Sequence, residues 1–174
     1  MTTRPRILLV GLGSAHGDDQ IGWLIVNAVS ESLRDNPDVM VRKAALPLDI
    51  LDWLDGIGIL HVCDASRDDS PPGTIHRLEV TDCGSLDSAI LPEIRRLRCG
   101  GSHDYGLGPV LDLAARLGRL PQRIVVHAVT GREFHTQDCL SDGLTDVLPK
   151  ITQSILNELN DARNVSGAIA ADAG

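Results

Sequence analysis

Short apolar runs alternate along this chain with segments in which apolar residues recur every three or four positions. Arg6–Val10 is an apolar run that ends at Gly11, a pattern typical of a buried parallel strand. Between Ile21 and Leu33 the apolar residues recur with helical spacing, so a helix is predicted there. The strand–loop–helix order then repeats. A chain of this kind is expected to form an α/β domain with a mostly parallel sheet and helices on both faces.

The remaining elements are predicted from the same two patterns. Apolar runs predict further strands at residues 39–41, 57–63 and 123–129. Thr74–Val80 alternates polar and apolar residues, which indicates a half-exposed edge strand. Helical spacing predicts one helix after Leu107 and a last helix from Asp142, which Pro149 should kink or split.

The C-terminal segment Asn164–Gly174 is small and polar. It carries too little apolar surface to offset the entropy of ordering, so a disordered tail is predicted for residues 164–174. Residues 1–163 are then expected to form a single domain, because a chain of 174 residues with 43% hydrophobic residues can bury one core without disulfides or a structural metal.

Charge and cysteine content exclude several classes of protein. The 16 basic and 24 acidic residues give 16 − 24 = −8, which argues against a nucleic-acid partner. The apolar runs are too short to span a bilayer, and no signal-peptide hydrophobic region opens the chain, so we expect a cytoplasmic protein without a membrane partner. The 4 cysteines include no CxxC pair and are expected to be reduced structural thiols.

The candidate functional residues lie in loops that follow predicted strands. Open α/β sheets bind their ligands at these carboxyl ends of the strands. Asp18 and Asp19 follow the first strand, and we assign Asp18 mainly to capping the helix and Asp19 to metal binding. Asp64 directly follows the third strand, and His103 lies in a glycine-rich loop before the Leu107 helix. Asp19, Asp64 and His103 would provide three metal ligands and leave a coordination position open for metal-assisted hydrolysis.

Other interpretations of these residues stay open. Asp64 could simply form a turn. Gly11 and Gly13 suggest a nucleotide-binding Rossmann-like loop, but His16 stands where the third glycine is needed, and the acids after it would repel a pyrophosphate. No G-x-S-x-G elbow is present, and Cys63 has no recognisable histidine partner, which argues against serine and cysteine hydrolases.

The remaining histidines have simpler explanations. His61 and His127 lie within apolar strands and are expected to be packed, hydrogen-bonded residues. His76 lies on the predicted edge strand, and His135 lies in a loop without an evident partner.

The order of the short motifs resembles the hydrogenase maturation protease family. The similarity covers about Ile7 to Leu159 and rests on the residues Gly11, Gly13, Ser14, Gly17, Asp18, Asp19, Gly22, Asp64, Ala65, Pro72, Gly73, Thr74, Ser102, His103, Gly106, Leu107, Leu117, Gly118, Pro121, Leu140 and Ser141. The resemblance implies a three-layer α/β/α fold with a twisted five-stranded sheet. It also implies an endopeptidase that removes a C-terminal extension from the large-subunit precursor of a nickel–iron hydrogenase after nickel insertion.

In the family, two acids and a histidine at positions matching Asp19, Asp64 and His103 bind metal, and these three are taken as the catalytic and metal-ligating residues. The metal implied is nickel carried by the substrate, with no permanent cofactor, and the protein is expected to be a monomer. The alternative is a nickel-dependent checkpoint that binds the precursor without cleaving it. Two departures concern the loops: Ser14 replaces a common Asn, and Arg42 and Lys43 stand where many members have an acid followed by glycine.

Overall fold

The computed structural model describes residues 6–81, 83, 106–134 and 139–171, with side chains up to residue 161. Five strands are present: β1 (Arg6–Leu12), β2 (Val39–Ala44), β3 (Ile57–Ser66), β4 (Ile75–Thr81) and β5 (Arg123–Thr130). The described α-helices are α1 (Ile21–Leu33), α2 (Leu107–Arg116) and α3 (Asp142–Ala171). Short 3-10 helices cover Gly17–Gln20 and Pro47–Trp53.

The strands form one sheet in the order β2-β1-β3-β5-β4. The first four of these strands are parallel, and β4 pairs antiparallel with β5 at one edge. The mostly parallel five-stranded sheet is confirmed, and so is the edge position of the alternating segment, in which Ile75 is exposed and Val80 is buried. An edge strand with one solvated face tolerates such alternation, whereas the central strands β1, β3 and β5 are buried almost throughout.

Apolar residues cover both faces of the sheet and give three layers. On one face, Leu60 and Val62 of β3 pack with Leu107 and Leu111 of α2. On the other face, Cys63 packs in a cluster that includes residues of α1 and of α3. The predicted α/β/α arrangement is therefore confirmed. Within the described part of the chain, no helix combines the length and apolar character that crossing a bilayer would require.

The last helix, α3, contains Pro149 and continues through it as one element, so it is not split there. Its backbone is helical to Ala171, although the composition of residues 164–171 favours a disordered tail. Alanine has the highest intrinsic helix propensity, and an existing helix extends without a new nucleation cost, which allows these residues to continue α3. The single domain over residues 1–163 stays a prediction.

Candidate functional site

The carboxyl ends of the parallel strands meet at one edge of the sheet, and Asp64 lies there. It is 0% exposed, and its Oδ1 accepts a hydrogen bond of 2.8 Å from the N–H of Ala65. Asp64 is part of β3 and does not follow it, because pairing with β5 continues to Ser66 and Thr130. A turn-forming role for Asp64 is therefore wrong. Since side chains alternate along a strand, Asp64 faces the same side as Val62, the side covered by α2.

Two close backbone contacts place the Asp19 segment at the same edge. A Cβ atom on Gly22 would lie 2.2 Å from the carbonyl oxygen of Leu12 and 2.4 Å from that of Cys63, so the start of α1 packs directly on β1 and β3. Gly13 has φ +143° and lies against the carbonyl oxygen of Asp19, a position that only glycine fills without strain. Asp19 and Asp64 are thus on neighbouring segments at the ends of two paired strands.

The Asp19 carboxylate is half-buried, and no hydrogen bond or ion pair engages it in the part of the chain that the structure describes. A partly desolvated carboxylate with open lone pairs at a sheet edge is chemically suited to a divalent cation. The assignment of Asp19 to metal binding therefore remains a prediction that this environment supports.

Asp18 has a different role from the predicted helix cap. Its side chain makes no capping bond to the short helix that contains it, and it is 0% exposed. The carboxylate accepts hydrogen bonds from the backbone N–H groups of Arg132 (2.8 Å), Glu133 (3.0 Å) and Ser141 (2.8 Å), and from the Ser141 hydroxyl (3.0 Å). Burial acts to raise the pKa of Asp18, but these donors outweigh it and the pKa lies below its usual value. Asp18 therefore fastens the loop after β1 to the segments that follow β5.

The loop that carries His103 is not among the described residues, but the helix that follows it is. The connection from the end of α2 leads to the start of β5, which lies at the amino edge of the parallel strands. The first residue of α2, Leu107, consequently lies toward the carboxyl edge, on the face that Asp64 also occupies. The position of His103 itself stays a prediction.

A polar cluster that the sequence did not reveal lies beside Asp64. In the sheet register, Asp64 pairs with Ala128, and Ala128 pairs with His76 of β4, so both polar residues lie on one face. His76 Nε2 is 3.3 Å from the Asp68 carboxylate and 3.3 Å from the Thr130 hydroxyl. Asp68 and Thr130 therefore orient the ring. Only the pairing of β4 with β5 reveals this contact, because no local motif links these residues.

Asp68 is held as a carboxylate by its neighbours. Burial acts to raise its pKa, but hydrogen bonds from Ser70, Ser66 and Thr130 lower it well below the usual range. The backbone carbonyl of Asp68 also accepts a bond from the Arg132 guanidinium. The cluster is thus an anchored group of polar side chains on the sheet face that also carries Asp64.

His61 and His127 pack within the sheet as predicted. Both are buried, and His61 Nδ1 lies 3.3 Å from His127 Nε2. They project on the face that carries Cys63, opposite the Asp64 face, so they are not part of the carboxyl-edge site.

Cys63 is buried, and burial raises the pKa of its thiol far above the usual value. We therefore expect iodoacetamide at pH 8 to label the exposed Cys139 while Cys63 is protected in the native protein. Peptide mass spectrometry at increasing times measures the two rates, with urea-unfolded protein as the control in which both react. Equal labelling of Cys63 and Cys139 in the native protein would contradict this environment.

Comparison with solved structures connects this site to a known fold. The Escherichia coli hydrogenase maturating endopeptidase HybD superposes with a TM-score of 0.69 at 20% identity, covering 90% of this chain and 93% of that chain. A hydrogenase 2 maturation peptidase from a Thaumarchaeota archaeon gives 0.63 at 23% identity, covering 88% and 97%. The [NiFe] hydrogenase maturation protease HybD from Thermococcus kodakarensis gives 0.64 at 18% identity, covering 88% and 98%.

The sequence matches no family model and no curated protein. The similarity is thus one of backbone structure, and each superposition covers most of this chain and of the solved structure. The protein therefore has the fold of the hydrogenase maturation endopeptidases.

Proposed function

We propose that the protein belongs to the hydrogenase maturation protease family and is an endopeptidase that removes the C-terminal extension of a nickel–iron hydrogenase large-subunit precursor. The observation that carries the proposal is the joint placement of Asp19 and Asp64 at the carboxyl edge of this particular fold. The same edge binds ligands in open α/β sheets generally. The motif resemblance rests on short residue patterns and the fold rests on the path of the backbone, and both support the same activity.

Asp19, Asp64 and His103 are proposed to bind nickel that the precursor itself carries. Two carboxylates and one imidazole are suitable donors for a borderline first-row cation. Nickel is cargo of the substrate in this scheme, so the protein needs no permanent cofactor. Bound there, the cation polarises the scissile carbonyl or acidifies a bound water.

This chain's own residues supply selectivity. Asp64 is fully buried, so its carboxylate interacts with a nearby cation more strongly than it would in water. A nickel-loaded precursor brings a positive charge to Asp64 and Asp19, whereas an empty precursor does not. The anchored loop around Asp18 keeps the neighbouring Asp19 in place while the substrate binds. Cleavage is therefore expected only after nickel has been inserted.

The test is cleavage of a nickel-loaded precursor, followed by intact mass. We expect wild type to shorten the C-terminus, and Asp19→Asn and His103→Ala to lower the rate at least about 100-fold, because loss of a metal ligand removes several kcal/mol of transition-state stabilisation. Asp69→Asn, an exposed acid on the loop after β3, is the matched control and should cleave at the wild-type rate.

Three results would count against the proposal in different ways. Full activity of both ligand variants would remove the site assignment. Cleavage of nickel-free precursor at the same rate would remove the role of nickel. Stable co-elution of wild type with a loaded precursor of unchanged mass would instead support the non-cleaving checkpoint. A monomeric, cytoplasmic protein is part of the proposal, and light scattering measures the oligomeric state.

A further inference from the structure

A second group of metal-ligating side chains lies on the opposite face of the sheet. It consists of His61 on β3, His127 on β5 and Glu158 on α3. Each of these residues offers one ligand atom, and the three atoms all lie within 4.8 Å of one another. The residues come from three different elements, so the group forms only when α3 packs on the sheet.

One distance within this group equals the separation between two ligands of a tetrahedral site, and the three ligand atoms lie no more than 4.8 Å apart. The two imidazole nitrogens, His61 Nδ1 and His127 Nε2, are 3.3 Å apart, and His127 Nε2 is 3.8 Å from Glu158 Oε2. Ligands bound to a tetrahedral Zn²⁺ at about 2.0–2.1 Å are separated from each other by roughly 3.3 Å. The two rings are stacked, with planes that differ by 12°. A cation held by both rings and Glu158 requires the rings to turn until their nitrogen lone pairs converge.

The protonation states also favour a cation. Burial lowers the pKa of His61 to about 3 and lowers that of His127 as well, so both rings are neutral near pH 7 and keep a lone pair. Burial acts to raise the pKa of Glu158, but Arg77 and the neighbouring His61 and His127 together outweigh it, so the pKa lies below its usual value and the group is a carboxylate. Two neutral imidazoles and one carboxylate form a common zinc-binding set.

The surrounding charges are balanced. Arg77 and Arg123 lie next to the group, but Glu79 and Glu158 pair with them. Arg77 donates to Glu158 through Nε at 3.2 Å, and a carboxylate oxygen that accepts one such bond retains a second lone pair. A divalent cation thus meets no net positive charge from these four residues.

His61 provides an independent sign that the polar network is incomplete. The residue is 0% exposed, and its Nε2 has no hydrogen-bond partner among the described residues. Its one polar neighbour in this group is reached through Nδ1. Nε2 lies on the far side of the ring from Nδ1, so it does not face the proposed cation; it is the nitrogen that carries the ring proton when Nδ1 binds a metal.

We propose that His61, His127 and Glu158 bind a divalent first-row transition cation, with Zn²⁺ as the representative, and that this cation fastens α3 to β3 and β5. In the metal-free protein one of the two rings donates an N–H to the other across the 3.3 Å gap. When both of these nitrogens bind the cation, that proton moves to the other nitrogen of its own ring, so each imidazole stays neutral. The Glu158 side chain is 18% exposed, which gives the ion a path from solvent. The site is separate from the carboxyl-edge site because the two lie on opposite faces of the sheet.

The experiment uses chelator-treated full-length protein carrying Asp19→Asn, which weakens the carboxyl-edge site. Co²⁺ is the spectroscopic probe, and Zn²⁺ titration calorimetry gives the Kd. We expect tetrahedral Co²⁺ absorption and a Tm that rises with added Zn²⁺. Adding Glu158→Gln, which keeps an oxygen that can accept a bond from Arg77, should weaken Zn²⁺ binding at least about 10-fold. Circular dichroism and the metal-free Tm check that this variant is folded.

His127→Gln in the same background is a second variant and should abolish the tetrahedral Co²⁺ absorption. The proposal is overturned if the Asp19→Asn protein binds no Zn²⁺ saturably, or if Glu158→Gln leaves the Kd unchanged; the group is then only a hydrogen-bonded pair beside an ion pair. These readouts do not involve precursor cleavage, so they remain decisive even if the proposed peptidase activity is absent.

Discussion

We expect Asp18→Ala to lower the free energy of unfolding by about 3–5 kcal/mol, because it leaves several part-buried donors without an acceptor. The N–H groups of Arg132, Glu133 and Ser141 all point at this carboxylate. The substitution also removes the carboxylate oxygen that lies against Gly131, since a Cβ built on that glycine would be 3.2 Å from Asp18 Oδ2. Urea denaturation followed by circular dichroism measures the change, and an unaltered m-value shows that the folded and unfolded states keep their compactness.

Asp19→Ala is the matched control, since it removes the same side chain one position later. The Asp19 carboxylate is half-buried and has no hydrogen bond within the described residues, so a change within about 0.5 kcal/mol is expected in chelator. In a cleavage assay we expect the opposite order: per folded molecule, Asp19→Ala lowers the rate of precursor cleavage more than Asp18→Ala does. Equal destabilisation by both substitutions would show that the Asp18 hydrogen bonds contribute little.

Gly22→Ala is expected to destabilise the protein by about 3 kcal/mol or more, the upper end of overpacking effects. The added Cβ would meet the Leu12 and Cys63 carbonyl oxygens at 2.2 and 2.4 Å, and both atoms belong to the backbone of central strands. Such atoms cannot move aside as a side-chain end can, so α1 must lift away from the sheet. Because α1 follows directly on Asp19, loss of precursor cleavage should accompany the loss of stability.

Gly143→Ala provides the comparison for this helix glycine. Gly143 lies in α3, and its nearest neighbours would be 3.5 and 3.8 Å from a new Cβ, which is ordinary contact. Because alanine favours the helix over glycine, Gly143→Ala should leave the free energy of unfolding unchanged or raise it by up to about 1 kcal/mol. Thermal and urea unfolding of Gly22→Ala and Gly143→Ala, measured under the same conditions, compare their stabilities with that of the wild type. A mild Gly22→Ala phenotype would mean that the helix–strand contact is looser than the structure indicates.

Local patterns were sufficient to predict the strands and to place candidate site residues near the carboxyl edge of the sheet. The apolar run at β1 and the alternation at β4 predict a buried strand and an edge strand, because burial of one or both faces imposes these patterns directly. The same reasoning placed Asp64 near the carboxyl edge but put it outside β3. Strand ends are difficult to predict because pairing with the neighbour, here β5, decides how far the ladder continues.

Adjacent residues Asp18 and Asp19 show where local patterns are insufficient. Both are aspartates after β1, yet one is buried under backbone donors from distant segments and the other is not. The partners Arg132 and Ser141 are more than a hundred positions away, and nothing near Asp18 in the sequence indicates them. Tertiary packing also forms the contacts of His76 with Asp68 and of Glu158 with His127, which no local pattern indicates.

By itself, the sequence determined that this chain forms an α/β sheet domain and that acids lie at or near the carboxyl ends of its central strands, since hydrophobic periodicity and residue type are local properties of the chain. Tertiary structure alone decided that Asp18 anchors loops while Asp19 stays available, and that His61, His127 and Glu158 meet on the opposite face. The physical reason is that hydrogen bonds and ligand groups depend on distances of a few ångströms between segments far apart in the chain, and packing of helices on a twisted sheet sets those distances.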